Sequence, residues 1–266
     1  MITCPSHYNK VSAFDRAVVA VNHRSQAMHG APRTCLAVCF AILISACGGG
    51  YGAAPMQPPI TDYDLQAGMA KMVTDGLSAD VALSGTATVN GTSTSFTGSG
   101  TFTRAPAMNA SFNGTAALSQ STTVAGSITA AGQSAPYSSS VTDYYAGSDS
   151  AFLGEVSTGE YDVAQAPISF PTMILGGSSG ILGTLSRYTD STMSVSLGTA
   201  QVSYSTMTPV DPGSPIGVVV TTKIYDTQNT LIETDVTNYA MTSSGIISLG
   251  GASAQNQSGT LKITAQ

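Results

Sequence analysis

From residue 80 onward the chain alternates with a period of two. Val81, Leu83, Ala87 and Val89 fall on one side of the pattern. Phe96 and Phe102 share a side, as do Ala110, Phe112, Ala116 and Leu118, then Val124 and Ile128, then Ala135, Tyr137 and Val141. Thr, Ser and Gly fill most places between them. Successive side chains of a strand point to opposite faces, so this pattern predicts half-buried strands rich in β-branched residues. Asn90-Gly91 is a strong two-residue hairpin signal between the first pair. Asn113-Gly114 is a second such step, with less clear flanks. The stretch 147–171 is less regular. Tyr144-Tyr145 and Phe152-Leu153 predict short strands there, and Pro167 to Pro171 reads as a loop. The last third is a cleaner meander, with strands near 194–207, 216–226, 231–241, 245–252 and 259–264. Polar or proline-bounded turns at 211–215, 226–230 and 242–245 separate them.

One helix is predicted before the strands. Leu65, Met69, Met72 and Val73 recur at helical spacing, Asp62 or Thr61 can cap, and Gly76 can terminate. A weak repeat of small-Gly-Thr/Ser steps places Gly85, Gly100, Gly114 and Gly126 at intervals of one strand plus one turn. Glycine inside strands allows sharp coiling. The fold class these patterns predict is all-β: an antiparallel meander forming a curved sheet or small barrel, with one short N-terminal helix. The alternative is a Thr/Ser/Gly-rich β-solenoid. A membrane-spanning barrel is disfavoured, because Trp is absent and aromatics are few.

Ahead of this domain, Leu36 to Ile44 forms an apolar run, preceded by Arg33 and followed by Ser45-Ala46-Cys47-Gly48. The run is too short to span a bilayer, which needs about 20 apolar residues. Charge, apolar middle and small-residue end are the parts of a secretory signal. Ile44-Ser45-Ala46-Cys47 resembles the lipobox of bacterial lipoproteins, with Ile44 where the family prefers Leu. The resemblance implies cleavage between Ala46 and Cys47 and a diacylglycerol thioether on Cys47, with palmitate or a similar chain on its amine. Gly48, rather than Asp, after the cysteine implies sorting to the outer membrane. Met28 is the better start for a signal of ordinary length. The expected organisation is therefore a misassigned upstream extension at 1–27, a signal peptide at 28–46, a flexible tether at 47–60 and one β-rich domain at 61–266.

Composition removes several chemistries. Cys4, Cys35 and Cys39 precede the cleavage point, so the mature chain keeps only the lipidated Cys47 and no disulfide is expected. His7, His23 and His29 also precede it. With no imidazole or free thiol, the expectation is no His-assisted nucleophile, no His or Cys metal site and no cofactor. After residue 46, five Lys/Arg face fourteen Asp/Glu. Such a surface is repelled by phosphate backbones, so no nucleic-acid partner is expected. The partner it does imply is the membrane, reached through the lipid.

Gly176-Gly177-Ser178-Ser179-Gly180 matches G-x-S-x-G, but the elbow needs a later histidine and a following helix, so it reads as a glycine turn. Acid pairs at Asp62/Asp64, Glu160/Asp162 and Glu233/Asp235 read as solvated charges that protect sheet edges. The body is similar to β-rich lipoproteins of proteobacterial envelopes that carry no assigned activity. The function expected is a non-catalytic, lipid-anchored envelope component facing the periplasm or the cell surface, structural or binding, with an apolar ligand if the sheet closes on a pocket. Two alternatives are a carboxylate-dependent hydrolase of envelope glycans, marked by two acids facing each other in a cleft, and a surface adhesin. No catalytic residue is assigned.

Overall fold

The computed structural model describes residues 62–266, apart from 90, 210 and 212. Cys47, the 1–27 and 28–46 segments and the 47–60 tether lie outside the described residues. The chain enters through Tyr63, whose backbone bridges Ile174, and forms α1 (Leu65–Asp75). Asp64 is the N-cap, its carboxylate accepting from Ala67 N at 2.8 Å. This corrects the expected cap at Asp62 or Thr61: the side chain must reach a free N–H of the first turn, and Asp64 is three residues away. Gly76, at φ +76, closes the helix as expected and donates to Met72 O. The buried stripe Leu65, Met69, Met72 and Val73 faces inward, and most of it packs with Ile216, Met241 and Ile247.

Thirteen strands follow: β1 (Leu77–Val89), β2 (Thr92–Arg104), β3 (Met108–Phe112), β4 (Thr115–Ala130), β5 (Gln133–Tyr145), β6 (Phe152–Ser157), β7 (Glu160–Ile168), β8 (Ser179–Tyr188), β9 (Ser196–Met207), β10 (Ile216–Tyr225), β11 (Leu231–Met241), β12 (Ile247–Asn256) and β13 (Gly259–Ala265). Every pairing is antiparallel. β4 to β13 each pair with the next, β13 pairs with β1, and β1 with β2. The ring closes where β2 meets β4, through Phe96↔Ala130 to Arg104↔Thr122. The result is a closed antiparallel barrel of 12 strands. β3 runs beside the first residues of β4, beyond the end of β2. The meander and its short helix are thus observed, and the curvature goes as far as closure; the solenoid is excluded by the antiparallel ring.

Closure sorts the faces. On β2, Phe96 and Phe102 are buried inside, while Ser95, Thr97, Ser99, Thr101 and Thr103 are exposed outside. This polarity is opposite to that of membrane-spanning barrels, whose outer band is apolar. No helix among the described residues is long and apolar enough to cross a membrane. At the closing seam Gly100 sits opposite Gly126. A methyl on Gly126 would run into the Ser99 carbonyl oxygen and come within 2.6 Å of the Gly100 Cα, so only glycine fits this approach.

Two expectations are revised here. Asn113 (φ 50) and Gly114 (φ 75) form a tight two-residue turn with Phe112 opposite Thr115. The turn resets the alternation, so Phe112 and Ala117 are buried while Ala116 is exposed. Phe112 stacks between Tyr144 (4.5 Å) and Tyr161 (5.3 Å), an aromatic cluster on the outer wall. The irregular middle, in turn, holds the well-formed β6 and β7. A bulge at Gly154 (φ 154), where Phe112 lies against the backbone, interrupts the period and hides these strands from a two-residue pattern.

Candidate binding site in the barrel lumen

Eight-stranded barrels are just filled by their own side chains, and wider ones leave room inside. Twelve strands leave two adjoining cavities here, of about 480 and 240 Å³. They share Glu155, Leu185, Thr222 and Thr237 as wall residues. The smaller lies under α1 and is mostly apolar, with Met69, Phe102, Ile168, Val202 and Val220 among its lining. The larger is bounded by Tyr137, Leu185 and Ile224 together with acidic side chains.

Between them runs a polar row built by register alone. Gln120 on β4 lies opposite Asp143 on β5, Asp143 opposite Glu155 on β6, Glu155 opposite Asp162 on β7, and Asp162 opposite Arg187 on β8. Directly opposed residues share a face, so five strands project five polar side chains inward side by side, about 5 Å apart. Two arginines anchor the row. Arg104 donates to Gln120 Oε1 (2.7 Å), Tyr145 OH (2.5 Å), Tyr239 OH (3.3 Å) and the Asp143 carboxylate. Burial pulls its proton affinity down, yet the oxygens of Tyr145, Asp143 and Tyr239 hold it above the usual arginine value. Arg187 pairs with Glu160 (2.9 Å) and Asp162 (3.1 Å).

Gln120 is fully buried, and its amide nitrogen reaches Met72 O (3.0 Å), Val73 O (3.1 Å) and Ala105 O (2.9 Å). Met72 O and Val73 O also accept from the backbone amides of Gly76 and Ala107, so the barrel side chain adds a second bond to each carbonyl at the helix C-terminus. α1 is thereby fastened to the same polar row.

Glu155 stands between Asp143 and Asp162 without an arginine of its own. Burial, and then the charges of Asp143, Asp162, Asp235 and Glu160, push it well above the usual carboxylate range. Asp235, on β11 with Glu233, is pushed up to about 8 by burial and by Glu233. Burial raises Asp162 to about 6 against the pull of Arg187. Burial also raises Glu233, whose carboxylate accepts from Asn256 Nδ2 at 3.3 Å. Oδ1 of Asp162 and Oδ1 of Asp235 are buried and meet no protein donor.

Two of the acid pairs expected as solvated edge charges, Glu160/Asp162 and Glu233/Asp235, therefore line the lumen instead. A ring without open edges leaves no such role for them. Asp62 and Asp64 are exposed, Asp64 as the helix cap. Asp143, Glu155, Gln120 and both arginines were not singled out from the sequence. A signal existed: Tyr137, Val141 and Asp143 share one alternating face, as do Leu185 and Arg187. The G-x-S-x-G segment is a turn followed by β8. Ser178 Oγ accepts from the Leu175 amide at 3.0 Å, and no helix follows. Among the described residues no three acids, histidines or cysteines converge as a metal site.

No family model matches this sequence, and no curated protein sequence does. In structure, the chain is similar to a domain from Vibrio parahaemolyticus described as an outer membrane lipoprotein-sorting protein. The match has 9% identity over 76% of this chain and 90% of that one, with a TM-score of 0.28. A superposition that loose carries no argument about function.

Proposed function

We propose that this protein is a lipid-anchored component of the bacterial envelope, tethered at Cys47 and held at the outer membrane. In this reading its barrel holds an apolar or amphiphilic ligand without transforming it. The observation that carries the binding role is the hollow lumen: a 12-stranded wall, an apolar chamber under α1 and a polar row below it. Cavities of this volume suit small ligands. The export and anchoring half rests on the lipobox-like residues Ile44 to Cys47.

The test is saturable binding of N-phenylnaphthylamine, a neutral fluorescent apolar probe, to the purified protein. Val220→Phe, which fills the upper chamber, should abolish binding while circular dichroism stays unchanged. Absence of saturable binding, or full binding by the filled variant, overturns the lumen reading. Mass spectrometry of the processed chain should find diacylglycerol on Cys47; an unmodified amino terminus overturns the anchor.

A second reading has one observation in its favour. Glu155 and Asp235 line the same cavity, where the charge of Asp235 adds to the rise of Glu155, and two acids facing one cavity are what a glycan hydrolase uses. Release of reducing sugars from peptidoglycan fragments, lost in Glu155→Gln, would establish it in place of passive binding.

A further inference from the structure

We infer that the larger lumen chamber is a receptor for an organic cation, an ammonium or guanidinium group carried on an apolar tail, held by Glu155, Asp162 and Asp235. The inference rests on the lumen being a ligand site and names the chemistry of its ligand.

Three observations carry it. The first is an excess of acceptors, six carboxyl groups against two arginines. Asp143, Glu155, Glu160, Asp162, Glu233 and Asp235 project into the lumen, while only Arg104 and Arg187 answer them among the described residues. Arg104 is committed to Asp143, and Arg187 to Glu160 and Asp162. The second is unused hydrogen-bonding capacity. The Asp162 side chain is only 4% exposed and lines the chamber, yet its Oδ1 has no donor. Oδ1 of Asp235 likewise has no donor, and Glu155 lies directly opposite two carboxyls, Asp143 and Asp162, on the neighbouring strands. A buried acceptor left unmet is costly, and an N–H donor arriving from a ligand removes that cost. The third is shape. Glu155 borders both chambers, so a head group beside it leaves a tail to run up among Val202, Val220 and Ile168 beneath α1.

A bare metal ion fits the site less well. Among the described residues no three carboxylates converge as ligands, and the volume is many times that of an ion. An anionic head is opposed by every acid in the chamber. An ammonium group can answer the unmet oxygen of Asp162 or of Asp235, and a guanidinium, with five donors on a planar fork, can span acceptors on neighbouring strands.

The experiment is isothermal titration calorimetry of the full chain at pH 9, above the raised value of Asp235, with decylammonium, decanol and decanoate, three probes of one tail length. Decylammonium should bind at least about tenfold more tightly than decanol, and decanoate most weakly, as expected for charge-assisted hydrogen bonds to buried acceptors. Glu155→Gln and Asp235→Asn, made separately, should bring decylammonium toward the affinity of decanol while decanol binding stays unchanged. Equal affinity for decylammonium and decanol in the natural protein overturns the inference and leaves the apolar lumen intact. A preference that survives in both variants also overturns it. If none of the three probes binds, the lumen reading itself fails and the inference with it.

Discussion

Replacing Arg104 with methionine tests whether the polar row is held by its arginines. The Arg104 side chain is 10% exposed and donates to four partners: Gln120, Asp143, Tyr145 and Tyr239. Methionine keeps much of the side-chain length but no charge or donor. Asp143, 5% exposed and directly opposite Glu155, would then be a buried charge with no cation near it. Breaking a buried ion pair from one side costs about 3–5 kcal/mol, chiefly through the partner left behind. We therefore expect Arg104→Met to destabilise by that amount. Adding Asp143→Leu should recover most of it, because an apolar pair of similar volume often matches a buried ion pair. The assay is urea unfolding followed by circular dichroism, with the midpoint moving and the slope held constant. A loss below about 1 kcal/mol for Arg104→Met would show that water or neighbouring groups compensate Asp143. A double variant as unstable as the sum of the two single ones would show that the residues act independently, and would refute the account.

Stability should fall as pH rises from about 4 to about 8, the reverse of an ordinary salt-bridged protein. Asp162 and Asp235 have an ordinary value of 3.8 but about 6 and about 8 when folded, so across that window the folded chain keeps protons that the unfolded chain has lost. At about 1.4 kcal/mol per unit, Asp162 alone accounts for roughly 3 kcal/mol, and a thermal midpoint flat or rising between pH 4.5 and 8 would contradict it. Gly126→Val should force the β2–β4 seam apart and cost more than about 2 kcal/mol in urea unfolding; a change below about 0.5 kcal/mol would mean the seam is loose. Asp64→Ala removes the cap of α1 and should cost about 1 kcal/mol, read as a fall of about 2–4 °C in the thermal midpoint. No shift at all would mean the helix is positioned by Gln120 and its buried stripe alone.

Strand content, hairpin turns and the helix at Leu65–Asp75 were legible along the chain because each depends on neighbours a few residues apart. Val81, Leu83 and Ala87 declare a buried face by a period of two, Asn90-Gly91 declares a turn, and Leu65 to Val73 declare a stripe at helical spacing. Where a local irregularity broke the period, as at Gly154 and Asn113-Gly114, strands or faces were misread. The absence of histidine and free thiol after Cys47 was likewise readable without a structure. Closure was not. Whether a meander ends as an open curved sheet or a ring depends on β2 finding β4, and that contact is decided by small residues such as Gly100 and Gly126 meeting at a seam. Nor was the polar row. Asp143, Glu155, Asp162 and Arg187 become adjacent only through the register of four separate strands. An acidic residue on an apolar face cannot be told from a solvated edge charge until the wall around it has closed.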